Sequence, residues 1–311
     1  MNAQTNNVTR KRSQKQTTMQ TTTSKKRSTT STPAKKQTTT KSSSQRSSSS
    51  TIPSSQSPTI GNSTYTPNIK TYYANGVSFQ MVEVQGGTFR MGGTSEQGTD
   101  ARSDEKPIHS VTLNSYYIGR TEVTQALWEA VMGESFSQMI LRKHLYSLGK
   151  GNNYPMYAIS WNECKTFISK LNAITGKNFR MPTEAEWEFA ARGGTKSKGY
   201  KYSGSNTLDN VAWWINNSNF ETHEVGTKSP NELGIYDMSG NVSEPCSDWY
   251  GNYSSRTQTD PSGAGYGSYH VFRGSNMRGF DEDCRLSRRG VSFTDPDRTD
   301  FHGGLRLCFS E

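Results

Sequence analysis

The chain has 311 residues, enough for two average domains, with 36 basic and 27 acidic side chains and a net charge of +9. Four cysteines are too few for a disulfide scaffold, and no apolar run of about 20 residues could form a membrane span. No apolar leader follows Met1, so we expect no secretory signal and a cytoplasmic location with reduced thiols.

The positive charge belongs to the amino-terminal segment. Residues 1–82 hold twelve Lys or Arg and no acid, which leaves 24 basic and 27 acidic residues, a net charge of −3, for the rest. Residues 1–60 are mostly polar and cannot bury enough surface to offset roughly 1–2 kcal/mol of ordering per residue. We expect a disordered tail over 1–71 and one domain over 72–311. The tail is interpreted as a solvated tether, with an arm for an acidic partner or nucleic acid as the alternative.

The first elements of the domain are predicted to be strands. Apolar residues alternate from Val77 to Met91 around the pair Gly86-Gly87, and this pattern predicts a hairpin. The alternation returns from Ser110 to Ile118 and predicts more strand there.

Three short helices are predicted next. The segment from Thr121 to Met132 carries apolar residues on one face, and Gly133 ends it. Ser160-Trp-Asn-Glu163 and Thr183-Glu-Ala-Glu186 are capping-box patterns, which begin the second and third helices.

Regular patterning weakens after Gly194. Gly, Asn, Ser, Asp and Tyr dominate, with short apolar bursts at Tyr269–Phe272 and Leu305–Phe309. A compact domain rarely contains so much irregular chain. We therefore expect long loops organised on a small sheet, with a metal ion as the candidate that pins them.

Motifs in a fixed order along the chain resemble those of a known family. They are Gly86–Gly92, Phe179–Gly194, Asn231–Glu244 with the following Ser247-Asp-Trp-Tyr250, and Gly304–Leu307. Over about residues 75–311 the sequence resembles the formylglycine-generating enzymes, also called sulfatase-modifying factors. The resemblance implies a single α+β domain of the C-type-lectin-like superfold with little regular secondary structure.

Copper chemistry is not expected, although the resemblance would imply it. These enzymes oxidise a substrate cysteine with oxygen and copper, and they hold the copper with a Cys-x4-Cys pair. Thiolates suit Cu(I) because both are soft. Cys284 matches the second cysteine, but Gly279 stands at the first position and has no side chain to bind a metal.

The resemblance also implies a calcium site. Its ligands would be the carboxylates of Asp237 and Glu244 and the carbonyls of Gly240 and Val242. Ca²⁺ takes six to eight oxygens, and two carboxylates would balance its charge. An acidic turn without metal is the alternative.

The leading functional hypothesis is a non-catalytic domain, stabilised by calcium, that binds a protein or a small ligand on its C-terminal loops. The residues expected to face the ligand are Asn276, Arg278, Phe280, Asp281, Arg288, Phe293, Asp295, Arg298 and His302.

Three alternatives stay open. An enzyme of altered chemistry could use Cys284 as a thiolate, whose pKa the neighbouring Arg285, Arg288 and Arg289 would lower. The C-terminal segment could be a variable binding surface diversified by a retroelement, as in related domains. Formylglycine generation itself remains the third alternative, because the other motifs of the domain match those of the enzymes.

Overall fold

The computed structural model describes residues 66–292 and 294–311. In these ranges the chain forms an α+β domain, as expected from its sequence. The predicted tail up to residue 65 lies outside the described residues. Its predicted end at residue 71 was too late, because Ile69 to Thr71 already pair with Val82 to Gln80 in a sheet.

One antiparallel sheet joins the start and the end of the domain. Its strand order is β1-β2-β5-β10, and its strands are β1 (Ile69–Ala74), β2 (Val77–Val84), β5 (Tyr116–Gly119) and β10 (Cys308–Phe309). The last strand, β10, pairs with β5, and β5 pairs with β2 on its other edge.

Two further sheets have three strands each. The second contains β3 (Gly87–Met91), β4 (His109–Leu113) and β7 (Gln258–Thr259). The third contains β6 (Glu244–Trp249), β8 (His270–Arg273) and β9 (Gly290–Val291), and it carries the C-terminal loops.

The hairpin predicted around Gly86-Gly87 was wrong, although both of its strands exist. β2 pairs with β1 and β5, whereas β3 pairs with β4, which in turn pairs with β7. A Cβ at Gly86 would lie 2.6 Å from the carbonyl oxygen of Leu113, so the glycine permits a close crossing between two sheets. The actual hairpin turns at Asn75-Gly76, where both residues have positive φ, and this dipeptide is a strong turn signal that the sequence analysis missed.

The described residues contain four helices: α1 (Gln125–Met132), α2 (Phe136–Arg142), α3 (Trp161–Thr175) and α4 (Glu184–Ala191). Three were predicted, and the capping boxes that begin α3 and α4 are confirmed. The missed helix, α2, starts with a capping box of its own, Ser135-Phe-Ser-Gln138. None of these helices is both long and apolar enough to cross a membrane.

Buried ion pairs attach the irregular C-terminal half to the rest of the domain. Three fully buried or nearly buried pairs do this, Arg273–Glu188, Arg285–Glu105 and Arg289–Glu184, and a fourth, Arg306–Glu244, lies within that half. Among the described residues, no group of three or more His, Cys, Asp or Glu side chains is arranged to hold a metal ion. Arginine and glutamate supply pinning contacts here, and the sequence analysis did not anticipate them.

Candidate functional site

An open cleft of about 440 Å³ lies over the third sheet. Phe272 of β8 and Val291 of β9 line its floor, and the segment Ser275–Phe280 forms one wall. Asp300 and His302 lie on its lining as well. The volume is within the range of ordinary ligand sites, and every one of these residues comes from the C-terminal quarter of the chain.

The structure separates the nine predicted ligand residues into two groups. Asn276, Arg278, Phe280, Arg288 and His302 line the cleft. Asp281, Asp295 and Arg298 are exposed outside its lining, and Phe293 lies outside the described residues.

Phe220, which the sequence analysis missed as a candidate, contacts the cleft residue Arg278. The guanidinium of Arg278 lies 5.9 Å from the ring centre of Phe220, and its Nε donates to the Phe220 carbonyl at 3.4 Å. Phe220 is 52% exposed and has a φ of 62°, which a bulky side chain rarely adopts. The sequence around Phe220 did not indicate this conformation or its contact with Arg278, which lies 58 positions further along the chain.

His302 shares the cleft lining with two charged residues, Arg278 and Asp300. Burial lowers the pKa of its imidazole, the positive charge of Arg278 lowers it further, and Asp300 opposes both effects. Its backbone N–H donates to Oδ1 of Asp300 at 3.1 Å. Its Nε2 is buried and has no hydrogen-bond partner among the described residues.

Cys284 is fully buried below the cleft, in a small cluster with Tyr202, Leu208 and Val211. Burial raises the pKa of its thiol to about 12, and a hydrogen bond from Ser275 only partly offsets this effect. The thiol is therefore protonated at neutral pH.

The three arginines expected to activate Cys284 are engaged elsewhere. They pair with carboxylates, as Arg285–Glu105 at 2.6 Å, Arg288–Asp283 at 3.1 Å and Arg289–Glu184 at 2.6 Å. They are not available to stabilise a thiolate.

The residues around Cys284 do not fit copper. A Cβ at Gly279 would overlap the hydroxyl oxygen of Ser275, so this hydroxyl fills the space beside the backbone where a first thiol would start. Ser275 has a φ of 65°, a left-handed conformation that turns the chain at this point. One buried thiol and one hydroxyl stand where a soft metal would need two thiolates.

The predicted calcium ligands lie in a buried acidic cluster. Oδ2 of Asp237 accepts from the N–H of Gly226 at 2.7 Å, while its Oδ1 has no partner among the described residues. The Glu244 carboxylate accepts from Arg306 at 2.6 and 2.8 Å and from Trp187 Nε1 at 2.6 Å. Because Arg306 already neutralises Glu244, these donors do not fit Ca²⁺ as arranged. The calcium site stays a prediction.

Residues 71–310 match the model of the sulfatase-modifying factor enzyme 1-like domain. The chain belongs to this family. It is 37% identical over 214 residues to the chaperone protein LppX of Paenibacillus barcinonensis, covering 56% of this chain and 73% of that protein. It is 28% identical over 284 residues to the formylglycine-generating enzyme of Streptomyces coelicolor, covering 73% of this chain and 88% of the enzyme.

A solved structure of the same fold supports the family assignment. Treponema denticola variable protein 1 superposes with a TM-score of 0.64 at 32% identity, over 79% of this chain and 100% of that protein. The sulfatase-modifying-factor-like fold predicted from the motifs is thereby confirmed.

Proposed function

We propose that this member of the sulfatase-modifying factor family is a binding domain that uses the C-terminal cleft, and that it does not oxidise cysteine with copper. The observation that carries the proposal is the replacement of a thiol pair by Ser275, Gly279 and the buried Cys284 beside an open cleft. A reactive pair needs two thiolates, and here the single thiol has a pKa of about 12.

The oxidase part is tested with copper, oxygen and a cysteine-containing peptide that formylglycine-generating enzymes accept. We expect no aldehyde product by mass spectrometry, because a single protonated thiol cannot hold Cu(I) in a two-thiolate site. Formation of formylglycine that a Cys284→Ser change abolishes would overturn this part.

The binding part is tested with a variant that fills the cleft. Val291 is 48% exposed on the cleft lining, so Val291→Trp should occupy the cleft without disturbing the core. Leu141→Trp is the matched control, since Leu141 is 75% exposed on α2 and away from the cleft. Ligand-observed NMR with a fragment library of carboxylates, amines and aromatics should give hits that Val291→Trp loses and Leu141→Trp keeps. Hits that survive both changes, or no hits at all, would refute the cleft as the binding site.

A second proposal concerns variation of this surface. The similarity to a protein named variable protein 1 and the exposure of the rim favour a retroelement-diversified binding surface. Sequencing the gene from independent isolates should then reveal substitutions at cleft positions such as Asn276, Arg278 and Phe280, while Leu286 and Ser287 beneath them stay constant. Substitutions spread evenly over the domain would contradict it.

Calcium stabilisation is tested on the same domain. For Glu244 to bind Ca²⁺, it would have to release Arg306. A melting temperature that is higher in calcium than in EDTA, and a loss of this difference in Asp237→Asn, would establish the site. Equal melting temperatures in both solutions would leave an acidic turn without metal.

A further inference from the structure

The charges on the cleft lining are not all satisfied within the domain. Six charged residues line the cleft, and four of them, Arg273, Asp283, Arg288 and Arg289, form ion pairs. The other two, Arg278 and Asp300, form no ion pair within residues 66–292 and 294–311. The cleft therefore offers one unpaired positive charge and one unpaired negative charge to a ligand.

These two charges belong to a common space. Arg278 and Asp300 line the same cleft, and His302 lies on that lining with them. The backbone N–H of His302 donates to Oδ1 of Asp300 at 3.1 Å, which ties these two residues together. A ligand of matching polarity would extend from Arg278 past His302 to Asp300.

The rim has the composition of a protein-binding surface. Phe280 lines the cleft and is 56% exposed, and Phe220, which is 52% exposed, lies with its ring centre 5.9 Å from the guanidinium of Arg278. Aromatic residues and arginine dominate the binding energy of protein interfaces. The left-handed φ of Phe220 brings no burial of its ring in return, and such strain is concentrated at functional sites.

We propose that the cleft binds a segment of a partner protein that presents a carboxylate to Arg278, a cationic side chain to Asp300 and an apolar side chain to Phe280. Arginine suits a carboxylate because its planar guanidinium group can donate two parallel hydrogen bonds to the two carboxylate oxygens. The Nε of Arg278 contacts the Phe220 carbonyl, and its two terminal nitrogens have no hydrogen-bond partner among the described residues. The proposal rests on the proposed function, since it names the chemistry of the ligand for the same cleft.

The experiment is a selection of random twelve-residue peptides displayed on phage against the full chain. Enriched peptides should carry an acidic and a basic residue near an apolar one. Their affinities are then measured for synthetic peptides by fluorescence anisotropy. Arg278→Glu should weaken binding at least about tenfold, because close charge pairs at interfaces couple strongly. Asp300→Asn should weaken binding about tenfold while keeping the acceptor for the His302 N–H.

Matched controls separate the cleft from general charge effects. Arg256→Glu and Asp281→Asn make the same chemical changes at exposed positions outside the cleft lining and should leave the affinity unchanged. Arg278→Glu should also regain binding to a peptide in which lysine replaces the acidic residue. Restored binding of this kind cannot result from misfolding of the variant.

The outcomes distinguish the ligand chemistry from the proposed function. If Val291→Trp abolishes peptide binding but the changes at Arg278 and Asp300 leave the affinity unchanged, the charge pairing is overturned and the cleft remains a binding site. If Val291→Trp also leaves the affinity unchanged, both the charge pairing and the cleft as the binding site are overturned. If no peptide is enriched, the protein-segment ligand is refuted, and the fragment hits decide the binding function separately.

Discussion

The two halves of the domain keep their shape by different means. Between Ile69 and Ala191 the chain forms all four described helices and five of the ten strands, with capped helix ends and a continuous apolar core. From Gly194 onward it forms no α-helix among the described residues, and its five strands and two short 3-10 helices are joined by long loops. There, buried arginine–glutamate pairs hold the backbone where regular hydrogen bonding is sparse.

The difference explains how a loop-rich half can present a defined cleft. Each of the four buried guanidinium groups contacts a carboxylate and also donates to a backbone carbonyl. Arg273, for example, donates to the carbonyls of Leu286 and Ser287, which are buried and directly precede the cleft residues Arg288 and Arg289. Exposed residues that line the cleft, such as Phe280, can therefore be substituted without disturbing the backbone that these pairs hold.

The largest expected effect is the loss of one buried pair. Arg285→Met would leave Glu105 buried without its counter-charge, and we expect it to lower the free energy of unfolding by about 3–5 kcal/mol. Urea denaturation measures this. Arg142→Met breaks the exposed pair with Glu134 and should cost about 0–1 kcal/mol.

The double variant Arg285→Met, Glu105→Leu should recover most of that loss, because it removes the uncompensated charge as well. Similar losses for Arg285→Met and Arg142→Met would mean that buried pairs do not hold the C-terminal half.

A pH-dependent effect is expected at Asp248 of β6. Burial, and secondly the charge of Glu184, raise the pKa of this carboxyl from 3.8 to about 7. The folded state therefore holds the proton more tightly than the unfolded state, and stability is lost as pH rises from about 4 to about 7. Asp248→Asn stays neutral and keeps an acceptor for the Glu184 N–H. Above pH 7 it should be more stable than the wild type by roughly 1–3 kcal/mol, and below pH 4 the difference should vanish.

Thermal unfolding between pH 4 and pH 8 measures this difference. Asp281→Asn, at an exposed position, is the control and should follow the wild-type pH profile. A constant difference between Asp248→Asn and the wild type across this range would contradict the assigned pKa.

A smaller effect is expected at a helix cap of the first half. The hydroxyl of Ser160 accepts from the N–H of Glu163 at 3.2 Å, so Ser160→Ala should cost about 1 kcal/mol by urea denaturation. Ser169→Ala, at an exposed position inside α3, should be neutral or slightly stabilising. Equal effects at both positions would show that the cap contributes nothing.

The smallest expected effect concerns thiol reactivity. Cys284 should resist iodoacetamide at pH 7.5 in the folded protein and react fully in urea, because its thiol is buried with a pKa of about 12. Asn276→Cys introduces a thiol on the cleft lining and should react readily, which proves that the reagent enters. Selective alkylation of Cys284 in the folded wild type would instead support the hypothesis of an altered enzyme.

Local signals predicted much of the first half. The capping boxes at Ser160 and Thr183 predicted two helix starts, since a cap depends on residues only three positions apart. The equally local signals at Asn75-Gly76 and Ser135 were present and overlooked. The hairpin between β2 and β3 was predicted wrongly because alternation shows that a strand exists but does not show which strand it pairs with.

The sequence by itself determined the family, the α+β fold and the missing thiol at Gly279, because motifs and residue identities need no partner to be read. Only the tertiary structure decided which charges are satisfied. Arg285 and Arg278 are only seven positions apart, yet one is buried against Glu105 while the other faces the cleft without an ion pair among the described residues. Their difference comes from contacts with residues far away in the chain, and local sequence carries no record of such contacts.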